Sequence, residues 1–227
     1  MLEPTMPEQV GPQKLEEDIE NMIMEDLKRP EGTPEIGSYG KAIEKVEELE
    51  KKEGLDYLTK IYNKEKFEKI LSEVYSEVVS LHEREGEIKN ALVAIFDLND
   101  FKPINDINGH QYGDKVLIGF AQKLKSLFSR KDDLVARIGG DEFAVILPNI
   151  SEENALKLFE RIKSELSNFT IEIKMRNGST EQVPLSASAG MCMVQGRASL
   201  EDIKEEADRN MYAAKKKHKD EHGDTIR

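Results

Sequence analysis

Two runs of strand length, Leu134-Val-Ala-Arg-Ile138 and Phe143-Ala-Val-Ile-Leu147, flank the segment Gly139-Gly140-Asp141-Glu142, and this arrangement constrains the fold more than anything else in the chain. Apolar and β-branched runs this close together pair as antiparallel strands, and two glycines between them can supply the positive φ of a tight hairpin turn. A backbone without Cβ atoms also lets a phosphate approach closely. Asp141 and Glu142 then stand where a hard cation could join protein oxygens to phosphate oxygens. The bland alternative is a hairpin whose acidic tip serves solubility.

Three other blocks carry the same flavour. They are Asp56-Tyr-Leu-Thr-Lys-Ile-Tyr-Asn63, the long segment from Asp97-Leu-Asn-Asp-Phe-Lys-Pro-Ile-Asn105 to Gly113-Asp114, and Ala207-Asp-Arg-Asn-Met-Tyr-Ala-Ala-Lys215. With Gly139-Gly-Asp-Glu-Phe143 they resemble, in order, the blocks of the GGDEF diguanylate cyclase family: its domain-opening D-x-L-T-x-x-x-N, its first active-site segment, its signature turn and its closing helix. Together they cover about three-quarters of the chain, and four blocks in one order are far more specific than any one of them. The resemblance implies an α+β fold, a mainly antiparallel sheet flanked by helices with a βαββαβ core like the polymerase palm and the purine nucleotide cyclases. It implies an enzyme that condenses two GTP into cyclic di-GMP and two pyrophosphates across a homodimer of half-sites, with product feedback. The alternative is a catalytically weak domain that acts as a receptor for GTP or cyclic di-GMP.

Composition narrows the partners. Charged residues make up 34% of the 227, and the net charge is −12. Such a balance argues against nucleic acid or an anionic membrane as the main partner, because both need concentrated Lys and Arg. Any phosphate site is therefore local. The single cysteine, Cys192, sits in an apolar run and reads as a buried, reduced thiol. The longest apolar run in the body is Ala91–Phe96, and the N-terminus has no basic start followed by a hydrophobic segment. No signal peptide or membrane span is expected, and the expected location is cytoplasmic.

Periodicity divides the chain. Leu15, Ile19, Met22, Ile23 and Leu27 fall at helical spacing in an acidic segment, residues 1–37, which ends in a Pro- and Gly-rich linker. Residues 38–54 carry a second helical stripe, Tyr39, Ala42, Ile43, Val46 and Leu49, suited to a short coiled-coil seam or to packing on the next domain. The cyclase-like domain is expected over 55–222, with a tail at 223–227. Within it the pattern predicts helices over Lys64–His82, Asp114–Ser129, Ser151–Leu166 and Leu200–Lys217. Strands are predicted over Asn90–Leu98, Thr170–Met175 and Pro184–Val194, besides the central hairpin.

The residues suggest their own chemistry. Asp97 ends an apolar strand; if that strand neighbours the hairpin, Asp97, Asp141 and Glu142 converge at one sheet edge. Oxygen donors without His or Cys suit Mg²⁺ or Mn²⁺. The resemblance implies catalytic roles for these three carboxylates and metal binding by them and the Leu98 carbonyl, with two ions per pair of half-sites. It implies guanine recognition by Asn105 and Asp114, whose side chains match the guanine edge. As plain structure, Asn105 suits a turn and Asp114 a helix N-cap.

The resemblance further implies phosphate contacts from Lys102, Lys215 and Lys219, together with the Gly139 and Gly140 backbone. Lys219 stands where the family usually has Arg, and His218 and Asp220 replace the commoner Gly and Asn. Lysine supplies charge without a bidentate fork. A lysine run at a helix end is otherwise a solvated, dipole-favoured feature. Arg130-Lys-Asp-Asp133 matches the family's R-x-x-D product-inhibition motif in residues and in its offset from Gly139; by itself it would read as a surface ion pair.

Overall fold

The computed structural model describes residues 54–84, 90–175, 178–195 and 198–223. The chain divides into two compact units, Met1–Lys60 and Ile61–Arg227. The helices expected over residues 15–27 and 38–53 lie outside the described residues. In the first unit the opening motif forms a local turn: Asp56 Oδ1 accepts from Thr59 N at 2.8 Å and from Thr59 Oγ1 at 2.6 Å. An Asp that binds the backbone ahead of it in this way stops an element instead of extending one.

The second unit begins with a short strand β1 (Tyr62–Asn63), which leads directly into helix α1 (Lys64–Arg84). Asn63 caps that helix, its Oδ1 accepting from Lys66 N at 2.9 Å. Strand β2 (Ala91–Leu98) is buried along its whole length, as its unbroken apolar run requires. Then come helices α2 (Phe101–Asn108) and α3 (His110–Leu127), the hairpin β3 (Leu134–Arg137) and β4 (Glu142–Leu147), and helix α4 (Glu152–Leu166). A second hairpin, β5 (Phe169–Lys174) and β6 (Thr180–Leu185), precedes strand β7 (Ala187–Val194) and the last helix α5 (Leu200–His222).

Five strands form the main sheet in the order β1-β3-β4-β2-β7, and β5-β6 stand apart as a two-stranded sheet. Among the described strands only the β1–β3 pair is parallel. Setting the separate hairpin aside, β2, the α2–α3 crossover, β3, β4, α4 and β7 make the expected βαββαβ core. Alternate residues of β2 serve opposite faces. Ala91, Val93 and Ile95 join Phe67, Leu71 and Val74 of α1 and Ile203, Ala207 and Met211 of α5 in one core. On the other face Phe120 of α3 meets Phe143 edge-on at 4.9 Å and stacks on Phe169 at 5.6 Å. By this alternation Asp97 belongs to the face that α5 covers.

Three expectations need correction. Phe101–Asn108 is a helix, although Asn105 suits a turn by sequence; Pro103 falls in its first turn, where a missing N–H costs nothing. The following helix starts at His110, after Gly109 with φ 84°, so Asp114 lies inside α3 and caps nothing. The predicted strand Pro184–Val194 is two strands divided at Ser186, the first beginning at Thr180 as a largely exposed strand whose polar residues hide its pairing with β5.

Candidate active site

The antiparallel pairing of β2 with β4 sets Asp97 directly opposite Glu142, and the pairing of β2 with β7 sets it opposite Ser188. Both β2 and β4 are interior strands. Asp97 and Glu142 therefore face each other on neighbouring strands in the middle of the sheet, not on its edge strands. Leu98 N donates to Asp141 O at 3.3 Å, which ties the end of β2 to the signature turn.

That turn is not the tight one expected. Four residues, Ile138 to Asp141, separate the strands, and neither Gly139 nor Gly140 has a positive φ. Ile138 N and Gly139 N both donate to Glu142 O, at 2.9 and 3.2 Å. The Arg137 guanidinium closes the loop, donating from Nε at 3.1 Å and Nη2 at 2.8 Å to Gly140 O. Gly139 matters by proximity instead: a Cβ there would lie 2.5 Å from Glu142 Oε2, so that flexible carboxylate would have to shift. Around Gly140 a Cβ would meet nothing within 4 Å, leaving open backbone on the turn's outer side.

Asp97 is 3% exposed. Lys215 Nζ reaches it from α5 and lies 2.7 Å from each carboxylate oxygen, with hydrogen-bond geometry at Oδ2. Oδ1 is buried and accepts no hydrogen bond. Burial pushes the Asp97 carboxyl above its ordinary value; the Lys215 hydrogen bond and charge pull it down, and Asp141 and Glu142 push it up. The α5 approach that brings Lys215 in depends on Gly190, where a Cβ would collide with the backbone of Met211 and Ala207.

The expected meeting of three carboxylates is only partly made. Glu142's carboxylate folds back over Gly139, and among the described residues no three His, Cys, Asp or Glu side chains gather closely enough to hold an ion. A buried carboxylate that feels the charges of Asp141 and Glu142 still suits a hard cation that takes its remaining ligands from a bound phosphate. Magnesium sites of that type use one or two carboxylates and no closed protein cage.

A cleft of about 260 Å³ opens beside Asp97 and collects five of the expected site residues, Leu98, Lys102, Asp141, Lys215 and Lys219. Asn105 and Asp114 do not line it. Asn105 sits over Gly113, where a Cβ would clash with its amide, and its Oδ1 is buried without a hydrogen bond. Asp114 is exposed on α3. The β5–β6 hairpin holds this part of α3: Tyr112 Oη donates to Glu181 Oε1 at 2.7 Å, and Lys115 Nζ donates to Lys174 O at 2.7 Å. Burial and the bond to Glu181 push the Tyr112 hydroxyl up to about 12.

Arg130 and Asp133 engage each other. Arg130 Nε donates to Asp133 Oδ1 at 2.8 Å and Arg130 N to Oδ2 at 3.1 Å, and the Asp133 side chain is only 4% exposed. Sequence reasoning missed a polar latch beside Asp97. Asn99 is buried; its Nδ2 donates to Ser186 Oγ at 2.9 Å, and Ser188 Oγ donates to its Oδ1 at 2.7 Å. An amide two residues beyond a strand-end carboxylate was the available signal. Cys192 is buried as expected, its thiol pushed up to about 12 by burial and the neighbouring Glu206, and so is inert. No described helix is long and apolar enough to cross a membrane.

A family model described as "Diguanylate cyclase, GGDEF domain" matches residues 54–221. The diguanylate cyclase DosC of Escherichia coli K12 is 34% identical over 175 residues, covering 77% of this chain and 36% of DosC. The chain spans about a third of the length of the first two curated relatives it matches, 35% and 36%. Among solved structures, the GGDEF domain of DgcB from Caulobacter crescentus, in complex with c-di-GMP, superposes with a TM-score of 0.62 at 27% identity, covering 72% of this chain and 91% of that one. The GGDEF domain of TpbB (YfiN) from Pseudomonas aeruginosa gives 0.60 at 34% identity, covering 72% and 89%. A family match across most of the chain and a shared fold thus join the signature turn, the buried Asp97 and the lysine-lined cleft, and the chain belongs to the GGDEF diguanylate cyclase domain family.

Proposed function

We propose that this domain is a diguanylate cyclase that converts two GTP into cyclic di-GMP and two pyrophosphates. The observation that carries the reading is Asp97: a buried carboxylate, ion-paired to Lys215, opposite Glu142 in register and beside a lysine-lined cleft. Asp97, the Leu98 carbonyl, Asp141 and Glu142 would hold Mg²⁺ or Mn²⁺. When bound, such ions lower the pKa of an attacking hydroxyl and neutralise charge on a leaving pyrophosphate.

Lys102, Lys215 and Lys219 hold phosphate oxygens, with the open backbone at Gly140 admitting them closely. Asn105 and Asp114 read the guanine: an amide meets O6 and N7, and a carboxylate accepts N1–H and N2–H. Adenine lacks the N1–H and leaves Asp114 beside an unmatched edge, which disfavours it. The 3′-hydroxyl of one GTP attacks the α-phosphate of the other, so two protomers must face each other, each with one nucleotide. Arg130 and Asp133 form a separate product site that holds the domains in a nonproductive arrangement.

Incubation with GTP and Mg²⁺, with the product identified by mass, tests the reading. Cyclic di-GMP is expected, with specific activity rising with enzyme concentration until dimers saturate. Flat specific activity through a monomer-to-dimer transition seen by light scattering would refute the half-site arrangement. Tight binding of GTP or cyclic di-GMP without turnover would identify a receptor instead.

A further inference from the structure

We infer that His218 is a further polyphosphate contact, supplying with Lys219 what the family's usual arginine supplies alone. The identity of the ligand as a nucleoside triphosphate rests on the cyclase reading above; the placement of the residue does not. Lys215, His218 and Lys219 stand at i, i+3 and i+4 on α5 and so share one helix face. All three line the cleft of about 260 Å³ whose opposite wall is Leu98 to Pro103 with Asp141. That volume is below the roughly 300–1,000 Å³ of pockets that enclose whole ligands, and suits the terminal phosphates of a nucleotide.

The histidine faces a carboxylate across the cleft. Its side chain is 23% exposed, and Nε2 lies 3.9 Å from Asp100 Oδ2 across the cleft. Asp100 itself has φ 56°, a left-handed conformation costly for a residue with a Cβ. It directly precedes α2 yet makes no side-chain cap there. Its carboxylate faces α5 instead. Strained backbone that aims a carboxylate at a histidine on another element fits a positioning role for Asp100.

The chemistry of the cleft selects an anion. Lys102, Lys215 and Lys219 line it against Asp100 and Asp141, and Lys215 already answers Asp97. Arginine grips phosphate through charge and a rigid planar array of donors, whereas lysine gives charge alone. An imidazole adjacent to that lysine restores a planar, directional N–H donor on the same helix face. The class of ligand is the terminal phosphates of a nucleoside triphosphate, or the pyrophosphate they become.

Calorimetric titration of the full chain with inorganic tripolyphosphate and, separately, with guanosine tests this. His218→Ala is expected to weaken tripolyphosphate about five-fold, the size of one net hydrogen bond, and to leave guanosine unchanged. In GTP turnover KM should rise by a similar factor, with kcat changed less. His218→Gln, which keeps an amide N–H at the reach of Nε2, should recover part of the affinity, and Asp100→Asn should give an intermediate loss. Unchanged tripolyphosphate affinity in His218→Ala, an equal loss for guanosine, or a wild-type protein that does not bind tripolyphosphate would each overturn the assignment. If His218→Ala loses tripolyphosphate while wild type makes no cyclic di-GMP, the cyclase reading fails and the contact stands.

Discussion

Lys215 Nζ sits 2.7 Å from both carboxylate oxygens of Asp97, an ion pair between residues 118 apart in sequence that joins the last helix to the first long strand. Lys215 is 42% exposed on its side chain and Asp97 5%, so the partners differ sharply in what the pairing costs. The burden of desolvation falls on the carboxylate.

From this comes a dependence on pH. Burial is the largest influence on Asp97 and raises its pKa above 3.8, against the pull of Lys215. A carboxyl raised in the folded state binds more protons there than in the unfolded chain, so its contribution to stability is full below 3.8 and falls as pH rises through the raised value. Asp97→Asn removes that loss. The metal-free variant should therefore melt above wild type at neutral pH, with the difference shrinking as pH is lowered toward 3.8. Thermal melts across that range decide it; a variant that melts lower at neutral pH shows that attraction to Lys215 outweighs burial.

Glu142→Gln should cut cyclic di-GMP formation about a hundred-fold or more while leaving the melting temperature nearly unchanged. The amide keeps the shape over Gly139 and removes the charge that a cation requires. Product measured by mass at saturating Mg²⁺ gives the answer, and undiminished formation would exclude Glu142 as a required ligand.

Gly139 and Gly190 should separate activity from stability. A Cβ at Gly139 meets the flexible end of Glu142, so Gly139→Ala should displace that carboxylate and lower turnover with little change in melting. A Cβ at Gly190 meets the α5 backbone at Met211 and Ala207, which cannot step aside. Gly190→Ala should cost about 3 kcal/mol by forcing α5 off the sheet. Chemical denaturation of both variants beside their GTP turnover checks the contrast.

Arg130→Ala should relieve inhibition by added cyclic di-GMP and leave initial rates, taken before product accumulates, almost as they were. In the described structure the guanidinium is engaged with Asp133, so product must win Arg130 from a nearly buried carboxylate. Inhibition of wild type should be noncompetitive with GTP. If both proteins slow equally in progress curves, the pair serves only the local structure.

Much of this could be read from the chain because its signals were local. The all-apolar Ala91–Phe96 run announced a buried strand with Asp97 at its end. What escaped depended on contacts between distant residues. α2 is short, with Pro103 and Asn-rich turns of sequence, and its propensity is overridden by packing of Phe101. The glycines of the signature turn looked like φ-permissive positions, but Gly139 is small because Glu142 lies across it. The Asn99–Ser188 latch and the Asp100–His218 pairing bring together residues from elements far apart in the chain, which no motif spacing encodes.

The register that sets Asp97 opposite Glu142 also determines where the chain can tolerate a change in length. Because side chains alternate with every residue, one residue inserted or lost within Ala91–Phe96 or Phe143–Leu147 would turn one acidic partner toward the opposite face of the sheet, away from the other and from Lys215. The domain would keep most of its buried strand and lose its chemistry. Insertions in the β5–β6 connection leave that register alone, because this hairpin is a separate sheet that does not pair with the strands carrying the acidic residues.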